Sequence, residues 1–224
     1  MSVKCDVMNV MKYKVLVFDW DGTLINSVPH IVDCIRVASD AVGTAFPGEE
    51  ASRRIIGLGM QEALESLFGV QSSEFVQAFR MAYSQHFFSR ESGRDDFFPG
   101  VVDTLVKIRA QGVPLAVATG KSWQGMQRAL QGLKMEDWFV SVKCADRTAS
   151  KPDPRMLIEL QQELKVEGHE MLMVGDTSFD LEMARRAGVA CLGVAYGAHP
   201  PEELIELASV GVLGDFKDIL NYIS

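Results

Sequence analysis

The sequence predicts a doubly wound α/β fold, a parallel sheet with helices on both faces, carrying a smaller helical unit inserted after the first strand. Three observations predict it. Short unbroken apolar runs stop at small or acidic residues, as suits strands buried on both faces of a parallel sheet. Helix-like segments separate most of these runs. Between about Asn26 and Phe97 strand-like runs are missing while helical patterning continues.

The first strand is Val15-Leu16-Val17-Phe18, which stops at Asp19. The insertion follows, with helical stretches at Ile31–Val42, Gln61–Phe68 and Ser73–His86, interrupted by Pro29, Pro47-Gly48 and Gly57. Arg94-Asp95-Asp96 forms the polar return, and Pro99-Gly100 turns into the next helix, Val101–Ala110, which Gly112 can end. Leu115-Ala116-Val117-Ala118 is a strand that stops at Thr119-Gly120. Ser122 caps a helix over Trp123–Leu133. A weaker strand, Phe139–Cys144, precedes a helix over Pro154–Leu164 with proline in its first turn. Met171-Leu172-Met173-Val174 stops at Gly175-Asp176, a helix over Phe179–Ala187 ends at Gly188, and Ala190–Val194 is the last strand of the series. The expected division is a sheet domain from residues 1–25 and 97–224 and a helical domain from 26–96. No repeat or low-complexity tract interrupts it.

The 224 residues accommodate one α/β domain of about 150 residues plus a unit of about 70. Hydrophobic residues at 47% and charged residues at 23% are ordinary for a globular chain, which argues against disorder. A net charge of −8 supplies no basic footprint for nucleic acid. It leaves an anionic substrate open, because a bound cation reverses the local field. Cys5, Cys34, Cys144 and Cys191 are far apart and form no CxxC pair, so they suggest free thiols in a reducing cytosol, not a zinc site or a disulfide framework. No apolar run approaches the ~20 residues of a membrane span, and Met1–Lys14 lacks the apolar core of a secretory signal. A cytoplasmic location with no membrane partner is expected. The first dozen residues read as a loose tail, with Met8 and Met11 as alternative starts, and no oligomeric state is indicated.

The chemistry concentrates at strand ends. Asp19-Trp20-Asp21-Gly22-Thr23 follows the first strand, and Thr119 and Asp176 close two others. Ligands of open α/β sheets bind outside the carboxyl ends of strands. A calcium loop starting at Asp19 would need glycine and glutamate where Leu24 and His30 stand. A helix-capping aspartate accounts for one of the two carboxylates but not both. Gly120-Lys121-Ser122 looks like the end of a P-loop, but Leu115 occupies the position of that loop's first glycine. Gly57-Leu58-Gly59 is no dinucleotide fingerprint, since Glu62 replaces its third glycine. His30, His86, His169 and His199 fall in no motif and read as structural or surface residues.

From Tyr13 onward the chain resembles a haloacid dehalogenase-type hydrolase of the phosphoglycolate phosphatase-like branch, which carries an α-helical cap. The family's DxDGT is Asp19–Thr23, its strand-end Thr/Ser is Thr119, its lysine is Lys151 in Lys151-Pro152-Asp153-Pro154, and its acidic GDxxxD is Gly175–Asp180. The resemblance implies Asp19 as nucleophile and Asp21 as general acid and then base. It implies Thr119 and the Gly120 amide as donors to a phosphoryl oxygen, and Lys151 as the group offsetting charge on Asp19 and the phosphoryl group. It implies Mg²⁺ held by Asp19, Asp176 and the backbone carbonyl of Asp21, with Asp180 as a further ligand or as holder of the ion's waters. Oxygen-only ligands suit that ion. Arg53, Arg54 and Gly57-Leu58-Gly59 match the part of related caps that faces the site. Arg54 there would pair with a substrate carboxylate or second phosphate, or else lie on a solvated helix face. Lys121 would touch substrate or be an exposed helix-start lysine.

The implied activity is Mg-dependent hydrolysis of a small phosphorylated metabolite, 2-phosphoglycolate among the candidates, through an aspartyl-phosphate. A sugar-phosphate phosphomutase would use the same two aspartates. A receiver-like phospho-acceptor switch is a third reading, disfavoured by the Asp19–Asp21 pair and the insertion, because such switches are single domains without a cap.

Overall fold

A computed structural model describes residues 12–90 and 93–223; Cys5 and most of the expected loose tail lie outside them. The strands are Val15–Phe18 (β1), Leu115–Thr119 (β2), Ser141–Cys144 (β3), Met171–Gly175 (β4), Ala190–Val194 (β5) and Gly211–Leu213 (β6). They pair in parallel in the order β3-β2-β1-β4-β5-β6. The helices are Val28–Ala41 (α1), Glu49–Arg54 (α2), Met60–Phe68 (α3), Ser73–Phe87 (α4), Val101–Ala110 (α5), Trp123–Leu133 (α6), Arg155–Leu164 (α7), Ser178–Arg186 (α8), Pro201–Leu207 (α9) and Leu220–Ile223 (α10).

Side chains alternate across a strand, and each central strand feeds two cores. Leu16, Phe18, Leu115, Val117, Leu172 and Val174 pack with Leu105 and Ile108 of α5 and Met126 and Leu130 of α6. Val15, Val17, Ala116, Ala118, Met171 and Met173 pack with Leu157 and Leu160 of α7 and Leu181 and Ala184 of α8. The apolar runs are unbroken because neither face meets water. Strand order reverses between β1 and β4, which opens the crevice where such sheets bind ligands.

Four elements lie outside the sequence expectation, α9 (Pro201–Leu207) among them. α2 (Glu-Glu-Ala-Ser-Arg-Arg) buries only Ser52, so it has no apolar period to read. β6 is three residues long, and α10 is a single short turn.

The helices α1 to α4 separate β1 from α5 and form a cluster of their own through Val28, Ile31, Ile35, Ile56, Leu64 and Phe79. The chain enters and leaves them side by side: Ile25 bridges Phe97, the Asn26 amide donates to the Asp96 carbonyl (2.7 Å), and the Phe98 amide to that of Leu24 (3.1 Å). Among the described residues no helix is long and apolar enough to cross a membrane.

Candidate active site

Four side chains from separate parts of the chain meet at the β1–β4 crevice. Asp19 directly follows β1, Asp176 follows β4, Asp180 sits in the first turn of α8, and Lys151 arrives from the loop before α7. All four are at most 1% exposed. The Lys151 ammonium lies 2.7 Å from Asp19 Oδ1 and 2.6 Å from Asp180 Oδ1. Apart from these ion pairs, the Asp19 side chain, Asp180 Oδ1 and Lys151 Nζ have no polar partner among the described residues. Asp19, Asp176 and Asp180 offer oxygens within 4.8 Å of one another.

Three buried carboxylates against one ammonium is an unbalanced arrangement, and the protonation equilibria register it. Burial pushes the Asp19 carboxyl well above the usual range; Lys151 opposes this and the other two carboxylates reinforce it. Burial, assisted by Asp180, pushes Asp176 up to about 7. For Lys151 burial works toward deprotonation, but Asp180 and Asp19 outweigh it and raise its pKa.

Local sequence sets these positions. Thr177 and Asp180 form a reciprocal capping box: the Thr177 amide donates to Asp180 Oδ2 (3.1 Å) and the Asp180 amide to Thr177 Oγ1 (3.4 Å). The acidic motif is therefore also the start of α8. Asp176 is held by the Thr23 hydroxyl (2.7 Å) and the Ala198 amide (2.7 Å). Gly22 packs against it at φ +88°, where a β-carbon would lie 2.2 Å from Asp176 Oδ2.

These sequence and structural features agree with known proteins. The pattern described as haloacid dehalogenase-like hydrolase matches residues 16–194. The chain belongs to the haloacid dehalogenase-like hydrolases. It is 33% identical over 211 residues to a phosphoglycolate phosphatase of Pectobacterium atrosepticum, covering 92% of this chain and 90% of that one. It is 29% identical to a probable phosphatase, IndB, of Dickeya dadantii, over 92% and 91% of the two chains. The crystal structure of a predicted phosphoglycolate phosphatase from Haemophilus somnus superposes with a TM-score of 0.81 at 25% identity, covering 95% of this chain and 99% of that one.

In this hydrolase Asp21 stands outside the three-carboxylate cluster. Its side chain accepts from Ser27 Oγ (2.7 Å) and pairs with Lys121 Nζ (2.9 Å). Lys121 is therefore not an exposed helix-start lysine: its side chain is 9% exposed, and its ammonium lies 4.3 Å from the centre of the Phe87 ring. Thr119, at the end of β2, accepts from the Lys121 amide through Oγ1 (3.2 Å). Asp19, Asp21, Thr119, Gly120 and Lys121 line one end of a cavity of about 440 Å³, and Gly57 lines it from the helical side.

The helical unit sits directly on the sheet. A β-carbon on Gly120 would come within 2.4 Å of the Gly57 carbonyl oxygen, so only glycine permits this approach. The Gly59 amide donates to Ser150 Oγ (2.8 Å), and Arg53 donates to the Gly197 carbonyl (2.8 Å). Arg54 departs from expectation. It does not line the cavity; its guanidinium pairs with Glu203 (2.7 Å to Oε2) on the exposed side. Arg54 ends α2, and the helix turns it toward α9.

The structure also brings together residues that no motif marked. His199 is buried at the join: its Nδ1 accepts from the Ser178 amide (3.2 Å), leaving Nε2 to donate to the Arg54 carbonyl (3.2 Å). Burial pushes its pKa down, consistent with this neutral form. His30 and Cys34 on α1 meet His86 on α4, all three offering ligand atoms within 4.8 Å. Cysteine spacing could not show this, since the partners are histidines on another helix. Here they tie the helices together, His30 to the Phe87 carbonyl (3.2 Å) and His86 to Asp33 (2.7 Å).

Proposed function

We propose that this chain hydrolyses a small phosphate monoester, with Asp19 as the nucleophile and Mg²⁺ as cofactor. The observation that carries the reading is the state of Asp19: buried, paired through Oδ1 with the Lys151 ammonium, its Oδ2 without a hydrogen bond, at the crevice of the sheet and on the wall of the cavity.

The donor set fits the ion. Three buried carboxylates with oxygens within 4.8 Å of one another, Asp19 among them with its Oδ2 lacking a hydrogen bond, form an all-oxygen set that suits Mg²⁺ in preference to zinc. Asp19 and Asp176 would hold it with the main-chain carbonyl of Asp21, and Asp180, already engaged by Lys151 and Thr177, would support from the side. Bound there, the cation offsets the repulsion between a phosphate dianion and the Asp19 carboxylate.

An Asp19 oxygen attacks phosphorus and the ester P–O bond breaks. Asp21 gives its proton to the leaving oxygen. Water then attacks the phosphorus of the aspartyl-phosphate, Asp21 takes the water's proton, and phosphate leaves with Asp19 restored. Thr119 and the Gly120 amide donate to phosphoryl oxygens, and Lys151 offsets charge on Asp19 and the phosphoryl group. Residues 26–96 act as a cap over the domain of residues 1–25 and 97–224, excluding water. The buried free thiols Cys34, Cys144 and Cys191 fit a reducing cytoplasm.

Release of inorganic phosphate from p-nitrophenyl phosphate tests this, with Asp19→Asn as the decisive variant. Loss of a covalent nucleophile costs on the order of 10⁶-fold in kcat elsewhere, and a fall of that kind is expected. Phosphate release unchanged in the variant would rule out Asp19. A phosphomutase would retain the phosphoryl group and release none.

A further inference from the structure

Resting on the phosphatase reading, we propose that the alcohol esterified to the phosphate is a bulky apolar one, aliphatic or aromatic, and not the two-carbon acid of 2-phosphoglycolate.

The first ground is size. The cavity is about 440 Å³ with the cap already seated on the sheet. That is room for about fifteen waters at ~30 Å³ each, and within the range of sites for drug-sized ligands. A glycolate group would leave most of it unfilled.

The second ground is the chemistry of the roof. Above the charged floor the cap contributes Ile31 and Ile35 from α1, Leu64 and Leu67 from α3, and Phe79 and Tyr83 from α4. The polar Gln61, Glu62, Arg80 and Ser84 lie beside them. Tyr83 stacks on Phe87 (5.8 Å between ring centres, 17° between planes), extending a flat apolar face. Apolar surface gains by contact with such a wall. A carboxylate pressed against it loses hydration and recovers little unless a cation meets it.

The third ground is where the cations point. Arg36 pairs with Asp33, Arg53 with the Gly197 carbonyl, Arg54 with Glu203 and Arg90 with Asp96. The cationic residues on the cavity wall are Lys121, taken by Asp21, and Arg80, at an exposed position on α4.

The test is steady-state kinetics of the full chain with Mg²⁺ on n-alkyl phosphates from ethyl to hexyl. 1-Naphthyl phosphate, glucose 6-phosphate, 2-phosphoglycolate and acetyl phosphate complete the panel. Alkyl leaving groups differ little in basicity, so differences within that series report contact with the roof. kcat/KM should rise roughly four-fold per methylene until the cavity fills, the equivalent of burying one CH₂. 2-Phosphoglycolate and glucose 6-phosphate should fall at least about ten-fold below hexyl phosphate, one power of ten being ~1.4 kcal/mol of transition-state contact. Leu67→Gln, at a half-buried site, should flatten the series, and Arg80→Gln should not reorder the panel.

A flat alkyl series in the native protein overturns the proposal whatever the variants do. So does preference for 2-phosphoglycolate or the sugar phosphate, above all one that collapses in Arg80→Gln. Each of these leaves the phosphatase reading standing. Failure to hydrolyse every ester, acetyl phosphate included, would remove that reading and this inference with it.

Discussion

The floor and the roof of the cavity differ in kind. The floor is Asp19, Asp21, Thr119, Gly120 and Lys121, and Asp19 belongs to a cluster with Asp176, Asp180 and Lys151, none more than 1% exposed, held by caps and glycines that admit no side chain. The roof is mainly Ile, Leu, Phe and Tyr from α1, α3 and α4, packed as a small core, with Gln61, Glu62, Arg80 and Ser84 also on its wall. In the charged cluster, losing one partner leaves the others as uncompensated buried charge. On the roof volume and polarity matter more than identity. On the proposed function, the reaction type would lie in the charged cluster and the selectivity in the roof.

Removing the cluster's cation should break the contrast most visibly. In Lys151→Met, Asp19 and Asp180 lose their shared ammonium. Loss of a fixed electrostatic donor costs on the order of 10²–10³ in kcat. Stability should fall by about 3–5 kcal/mol, as when one partner of a buried ion pair is deleted. Single-turnover rates and denaturant melts read the two effects separately. A variant within ten-fold of the native rate would show that the balance of buried charge is not what the cluster is for.

The next effect is on metal linkage. Asp176 takes up its proton near pH 7 in the folded chain against an ordinary value of 3.8. Between these limits the metal-free folded state binds more protons than the unfolded one, so its stability falls as pH rises. Mg²⁺ needs the carboxylate form and competes with that proton. The rise in Tm on adding Mg²⁺ should therefore be larger at pH 8 than at pH 5.5. Equal increments at both would separate Asp176 from the ion.

The smallest effect is expected at Arg54. Its exposed pair with Glu203 belongs to neither floor nor roof, and such pairs contribute ~0.2–1 kcal/mol. Arg54→Ala should change kcat/KM by less than about two-fold. A KM raised ten-fold for one substrate would bring the residue back into the site.

How much was legible follows the same division. α5 and α6 run over Val101–Ala110 and Trp123–Leu133, as their apolar period and the Ser122 cap predict, with Ser122 Oγ accepting from the Gly125 amide. α2 was not legible, because it turns no apolar side chain inward. The sequence left Lys121 open between substrate contact and exposure, because its burial depends on Phe87 and Asp21, neither a neighbour in the chain. His199 joins two units for a reason found only in their contact.

By itself the sequence determined the parallel sheet, the helical insertion and the acidic strand ends, because buried strands, helix starts and reactive carboxylates each demand particular residues within a short stretch. The tertiary structure alone decided that Arg54 turns outward, that Lys121 turns in toward Asp21, and that the roof is mainly apolar. Those depend on which helix faces lie together across the cavity, and no local pattern encodes that pairing.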